Sequence, residues 1–249
     1  MTEKELYDRV NGVSQSNGFR IDEKARGLDG TFSALMRKVY VWMTLALVIT
    51  GFTAYSVANS PALLNTIFSN SALMWGLIIG ELALVFVISG AINRLSLTTA
   101  TLLFIIYSVL NGAVLSSVFV IYEPMVIAKV FFITAGTFGA MAFYGYSTKR
   151  DLSSIGKILF MALIGLIIAT VVNIFLKSPG FDYILSYIGV AIFIGLTAWD
   201  SQKIKQMLLM QPDMSEGAQK LALLGSLTLY LDFINLFLYL LRIFGSNRE

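Results

Sequence analysis

The chain reads as an all-α integral membrane protein of seven transmembrane helices, and three observations predict it. Of its 249 residues, 57% are hydrophobic and only 13% are charged, with a mean hydropathy of +0.76. A soluble domain carries about 25% charged residues. Apolar windows long enough to cross about 30 Å of hydrocarbon recur near 39–57, 72–92, 98–122, 125–146, 155–176, 183–207 and 221–243. The four prolines, Pro61, Pro124, Pro179 and Pro212, fall at or between these windows. Proline lacks the amide hydrogen a helix interior needs, so it marks boundaries there.

The elements follow in order. Residues 1–38 are polar and mixed in charge and are read as a cytoplasmic tail; 39–245 form the seven-helix domain. A cleavable leader would begin with a short basic stretch and an apolar core, so the first membrane helix is expected to direct insertion itself. The second helix carries Glu81 near mid-span and ends at Arg94. The third and fourth are separated only by Tyr122–Pro124, which predicts a tight hairpin. On the sixth, Ser186, Gly189, Phe193, Thr197 and Asp200 share a face. On the seventh, Gly225, Thr228, Asp232, Asn235, Tyr239 and Arg242 recur at alternating steps of three and four, which also places them on one face. Such a stripe turns toward other helices or water, where Thr228 and Asn235 are candidates for interhelical hydrogen bonds. Lys129 is expected to snorkel to the interface, and Trp42, Trp75 and Trp199 to join an aromatic belt near the segment ends.

Orientation follows from the basic residues. If the N-terminus is inside, the inner side holds Lys4, Arg9, Arg20, Lys24, Arg26, Arg37, Lys38, Arg94, Lys149, Arg150, Lys157, Lys203, Lys205 and Lys220. The outer side holds only Lys129, Lys177, Arg242 and Arg248. The N-terminus is therefore expected in the cytoplasm and, with seven spans, the C-terminus outside.

Cys and His are both absent, which removes disulfides, thiol chemistry, haem ligation and nearly every zinc site. No cofactor is expected. Any pH response must come from carboxylates, since the usual group titrating near neutrality is missing. The net charge of +3 sits in loops and tail and is no nucleic-acid signal.

An aspartate at a helix centre in lipid costs roughly 2.5–3.5 kcal/mol on insertion scales. Asp200 and Asp232 both occupy such positions, each about 15 Å from the turn between their helices at 1.5 Å per residue. Consecutive antiparallel helices usually neighbour each other, so the two carboxyls are expected to meet. Like charge and low dielectric then disfavour double ionisation, and the pair titrates as a unit. It would hold a proton at low pH and attract a hard divalent cation such as Ca²⁺, or repack, at higher pH. Two acids make a poor high-affinity site, which suits a pathway better than a buffer. Glu81 is either functional or bonded structurally to an asparagine such as Asn111 or Asn173. Arg94 either snorkels or pairs with Asp200 as a latch.

The segment Leu229-Tyr-Leu-Asp-Phe-Ile-Asn-Leu-Phe-Leu-Tyr-Leu-Leu-Arg242 resembles the last-helix signature of the BAX inhibitor-1 family. Thr197-Ala-Trp-Asp-Ser-Gln-Lys-Ile-Lys205 resembles its sixth-helix motif. Thr137-Phe-Gly-Ala-Met-Ala-Phe-Tyr-Gly-Tyr-Ser-Thr-Lys-Arg-Asp-Leu152 resembles the fourth-helix exit of its bacterial branch. The resemblance spans roughly 30–245. It implies a central last helix wrapped by the other six in two layers, and a pH-sensitive calcium leak governed by aspartates on helices six and seven, here Asp200 and Asp232. It also implies an arginine latch at the end of helix two with a glutamate three turns above it. Here Glu81 and Arg94 are thirteen residues apart, which sets them on different faces. The third helix reads Asn111-Gly-Ala-Val-Leu-Ser-Ser117 where many members have a proline.

The leading expectation is therefore a cation leak, most simply for Ca²⁺, gated by protons at Asp200 and Asp232 and supported by Glu81, Arg94 and Asn235. A regulator that contacts other membrane proteins through its tail or the 211–220 loop is the alternative, followed by a proton/calcium antiporter. No enzyme is expected. An intramembrane aspartyl protease would carry Gly-x-Gly-Asp and a later Pro-Ala-Leu, whereas Pro61-Ala62-Leu63 precedes both aspartates. The bilayer here is expected to be a bacterial inner membrane.

Overall fold

A computed structural model describes the backbone of residues 3–245 and side chains from Asp29 to Gly245. The cations Lys4 to Arg26 and Arg248, used above for orientation, lie outside the described side chains. The helices are α1 (Glu3–Ala58), α2 (Pro61–Phe68), α3 (Ser71–Ala91), α4 (Leu97–Ile121), α5 (Pro124–Ser147), α6 (Ser153–Leu176), α7 (Pro179–Leu209) and α8 (Glu216–Phe244). Among the described residues seven are long and apolar enough to cross a membrane, with α1 contributing Asp29–Ala58.

Local chemistry explains the boundaries. Pro61, Pro124 and Pro179 open α2, α5 and α7 in the first turn, where the missing amide hydrogen would be unbonded anyway. Ser60, Asn70, Ser96, Ser178 and Ser215 cap their helices through side-chain oxygens, each satisfying one orphan amide. At α6 the cap residue is Leu152, which cannot do this; Asp151 Oδ1 instead accepts from Ser153 N at 2.9 Å.

The helices form two layers around the last one. Buried residues make up 67% of the spanning window of α8, against 6% for α3 and α6, which decides which helices are core and which face lipid. Packed directly on α8 are α7, α1, α5 and α4, while α3 leans on α4 and α6 on α7. The last helix is thus central, with an inner ring of four and two outer helices. At one end of the bundle the connections are tied together. Lys38 Nζ donates to Gln219 Oε1, Leu97 N to Glu216 Oε1 at 2.8 Å, and Lys220 Nζ to Leu95 O at 3.0 Å. Gln202 accepts from Leu152 N at 2.9 Å and donates to Arg150 O at 2.8 Å. This is the end where Lys and Arg gather.

Three features differ from the sequence reading. The first helix does not begin at 39: α1 runs unbroken through residue 38, and Leu35 and Met36 are buried in the core. A short helix, α2, occupies the first connection, where only a loop was expected. The α4–α5 joint is as short as expected, but Tyr122 and Glu123 both adopt extended backbone, and the two helices diverge beyond it. Instead α4 packs mainly on α1, and α5 on α7 and α8. Divergence wins because each helix has a larger apolar partner elsewhere.

Candidate functional site: a carboxyl pair in the α7–α8 seam

The seam is spaced by small residues. A Cβ at Gly225 of α8 would lie 3.1 Å from Ile204 of α7, and one at Gly189 of α7 would lie 2.8 Å from the Tyr239 ring of α8. These close approaches bracket Asp232, seven residues from both Gly225 and Tyr239. Between them the Asp200 and Asp232 carboxyls come within hydrogen-bonding reach of each other. Both are buried, with 9% and 5% of their surfaces exposed. Ionised carboxylates are acceptors only, so a hydrogen bond between two of them requires a proton on one. Asp232 Oδ2 is buried without a partner, as is the hydroxyl of Ser201 next to Asp200.

The expected latch is not formed. Arg94 lies exposed in the turn after α3, and the ion pairs among the described residues are Lys220–Glu216 and Arg242–Asp182. Because α3 packs on α4 and the turn after it meets α8 at Glu216 and Lys220, Arg94 lies by the start of α8, about 18 Å along the axis from Asp232. The cation whose charge acts on Asp200 is Lys203, one turn along the same helix, with Nζ 5.1 Å above the Trp199 ring. Asn235 does not bond the pair either; its Nδ2 donates to Leu231 O of its own helix at 2.8 Å. Thr228 and Thr197 likewise bond carbonyls one turn back. The polar stripe therefore supplies room for close packing and one carboxyl, and it bonds other helices through Asp232, through Tyr239, which meets Thr170 of α6, and through Arg242, which reaches Asp182 at 3.4 Å. Tyr239 stacks on Phe193 of α7.

A second polar cluster lies on a different flank of α8. Tyr230 is wholly buried, and a two-residue step carries it about 200° around the helix from Asp232. Its hydroxyl donates to Asn111 Oδ1 at 3.0 Å and lies 2.7 Å from Thr50 Oγ1. Asn111 Nδ2 donates to Glu81 Oε2 at 3.4 Å, and Thr50 Oγ1 to Ser108 O at 3.0 Å. Glu81 Oε1 is buried without a partner. This chain links α3, α4, α8 and α1. Glu81 therefore bonds Asn111, the structural alternative weighed from the sequence, and among the described residues no hydrogen bond joins this cluster to the aspartates. Tyr230 and Thr50 escaped the sequence reading because each is a single polar tip in an apolar run, with no periodicity to announce it.

The arrangement can hold a proton, and its free oxygen can face a cation. Among the described residues no group of three or more His, Cys, Asp or Glu is placed to hold a metal ion, so the pair offers oxygens without a cage.

A family model described as "Inhibitor of apoptosis-promoting Bax1" matches residues 33–249. A protein of Escherichia coli K12 named inner membrane protein YbhL is 51% identical over 214 residues, covering 86% of this chain and 92% of its own. A protein of Borreliella burgdorferi is 46% identical over 214 residues, with the same coverage. A membrane protein of Streptococcus pyogenes serotype M6 is 39% identical over 212 residues, 84% of this chain and 91% of its own. With seven membrane-length helices, an aspartate on each of the last two, and a match over most of its length, the chain belongs to the Bax inhibitor-1 family of membrane proteins.

Proposed function

We propose that the chain is a pH-sensitive leak for calcium or a similar cation, gated by protonation of the Asp200–Asp232 pair. The membrane would be a bacterial inner membrane, with the N-terminus cytoplasmic and the C-terminus outside. The observation that carries this reading is the contact between two buried carboxyls at a seam between consecutive spans, one of them with an oxygen lacking any partner.

At low pH one proton lies between the carboxyls and ties α7 to α8. As pH rises the proton leaves, and two like charges face each other in a medium that screens them poorly. Either the seam opens, or a hard cation that prefers oxygen ligands takes the proton's place. Lacking a third acid, the site releases that cation again, as a pathway requires. Flux is therefore expected to rise with pH. The substrate is the cation and the gating species the proton, while Glu81, Arg94 and Asn235 stand outside the pair.

The test is Ca²⁺ flux into proteoliposomes at pH 6, 7 and 8, comparing wild type with the Asp200→Asn/Asp232→Asn double variant. The wild type should pass more calcium at pH 8 than at pH 6, and the double variant should lose that dependence. Equal pH dependence in both would remove the pair from gating. Absence of wild-type flux from folded protein would favour a non-transporting regulator, and uphill calcium movement under an imposed proton gradient an antiporter.

A further inference from the structure

Between α1 and α5 the bundle is open. Neither helix packs substantially on the other, and the divergence of α4 from α5 leaves a cleft floored by α8. Near the Pro124 end the cleft holds a cavity of about 280 Å³ whose floor is Phe233, Ile234 and Phe237. Toward the other end a second cavity of about 570 Å³ lies between Phe32–Met43 of α1 and Phe138–Tyr146 of α5. The two are in register along both helices. On α1 they run from Phe32 to Ala54, and the stretch beyond Arg37 measures about 26 Å at 1.5 Å per residue, most of the thickness of the hydrocarbon core.

The lining is apolar and contains no carboxylate. Its one charged member is Arg37, at the mouth of the wider cavity. Arg37 is exposed, makes no ion pair among the described residues, and with Lys38 precedes the apolar window that begins at 39, so it stands at the level of the water–lipid boundary. A second cation flanks the same mouth. Lys205 Nζ donates to the carbonyl of Tyr146 at 2.7 Å and lies 4.8 Å from its ring. The wall is cut back by glycine: a Cβ at Gly139 of α5 meets nothing within 4 Å. Two apolar cavities in line between the same pair of helices, the wider one flanked by cations at its mouth, complement an amphiphile with an anionic head.

We propose that the α1–α5 groove is a binding site for one anionic phospholipid of the bilayer, its phosphate on Arg37 and an acyl chain against Met36, Met43 and Phe138. The floor residue Phe233 adjoins Asp232, so an occupied groove braces α8 from the side away from α7.

The experiment is native mass spectrometry and thermal unfolding of the purified full chain in detergent. The probes are dioleoyl phosphatidylglycerol, dioleoyl phosphatidylcholine and free glycerol 3-phosphate. The wild type should retain one phosphatidylglycerol with about fivefold preference over phosphatidylcholine, the worth of one basic residue near a lipid surface. Arg37→Gln should abolish that preference. Gly139→Leu, whose Cβ enters open space in the cavity wall, should lower retention of both lipids while leaving the lipid-free unfolding temperature unchanged. Should Gly139→Leu fail to fold, Arg37→Gln remains a readout, since Arg37 is exposed. Equal retention of the two lipids by wild type, retention indifferent to Gly139→Leu in folded protein, or stabilisation by glycerol 3-phosphate alone would each overturn the proposal.

Discussion

Asp232 and Tyr230 lie two residues apart on the same helix, and the structure gives them unrelated surroundings. Asp232 faces a carboxyl across the α7–α8 seam, whereas Tyr230 joins Asn111 and Thr50 in a chain that reaches Glu81. Removing the Tyr230 hydroxyl leaves Asn111 Oδ1 without its donor. Tyr230→Phe should therefore destabilise the protein by about 1 kcal/mol, toward the upper range for polar contacts inside membrane bundles, read as a lowered midpoint of thermal unfolding in detergent. Calcium flux should keep its pH dependence, because no hydrogen bond links this chain to the aspartates; loss of that dependence would show the two clusters to be coupled. Asp151 offers a check in the aqueous connection before α6. Hydrogen bonds from Ser153 hold its carboxyl below the ordinary value of 3.8. A folded-state value depressed in this way contributes stability above the unfolded value, lost as pH falls through the folded one. Carboxyl-resolved NMR should place the Asp151 midpoint under 3.8, and a midpoint at or above it would show that Asp151 does not cap α6.

Helix contact in this bundle is decided by where side chains are missing. A Cβ at Gly145 of α5 would run into the backbone of Ala198 on α7, two residues from Asp200. Gly145→Leu should thus force α5 off α7, at about 1–3 kcal/mol for overpacking, and disturb the setting of the carboxyl pair. Gly165 on the lipid-facing α6 meets nothing within 4 Å. There Gly165→Ala should leave stability unchanged or raise it by up to about 1 kcal/mol through helix propensity. Paired unfolding curves of the two variants test the assignment of α5 to the inner ring and α6 to the outer one. Comparable losses at both positions would contradict it.

The molecule as a whole is asymmetric in charge, and its orientation can be read directly because the chain has no cysteine of its own. Single-cysteine variants at Lys149, beyond the end of α5, and at Ser69, after α2, sit at opposite ends of the bundle and are both exposed. If the N-terminus is cytoplasmic, Lys149→Cys should react with a membrane-impermeant maleimide only after the membrane is broken. Ser69→Cys should react in intact spheroplasts. The reverse pattern would invert the proposed topology and, with it, the side from which protons reach the carboxyl pair.

Taken alone, the sequence determined the number of spans and the placement of all but the first, the end of the bundle where basic residues gather, and the two acids at matching depth. These are local properties: hydrophobic length, proline and capping positions, and distance along a helix axis are set by neighbouring residues and need no partner. The meeting of Asp200 and Asp232 was legible because consecutive antiparallel helices at equal depth leave few alternatives. The tertiary structure decided the rest. Proximity in sequence favoured an α4–α5 hairpin, yet extended backbone at Tyr122 and Glu123 lets each helix take a better apolar partner. The resemblance that implied an arginine latch at Arg94 could not show that α3 belongs to the outer layer. Nor could a stripe on α8 show that most of the faces beside it are buried as well, since that burial depends on which helices pack around it. The groove between α1 and α5, and the path from Tyr230 to Glu81, depend on which helices are absent from a contact. That is a property of the assembled bundle, to which no single segment holds the answer.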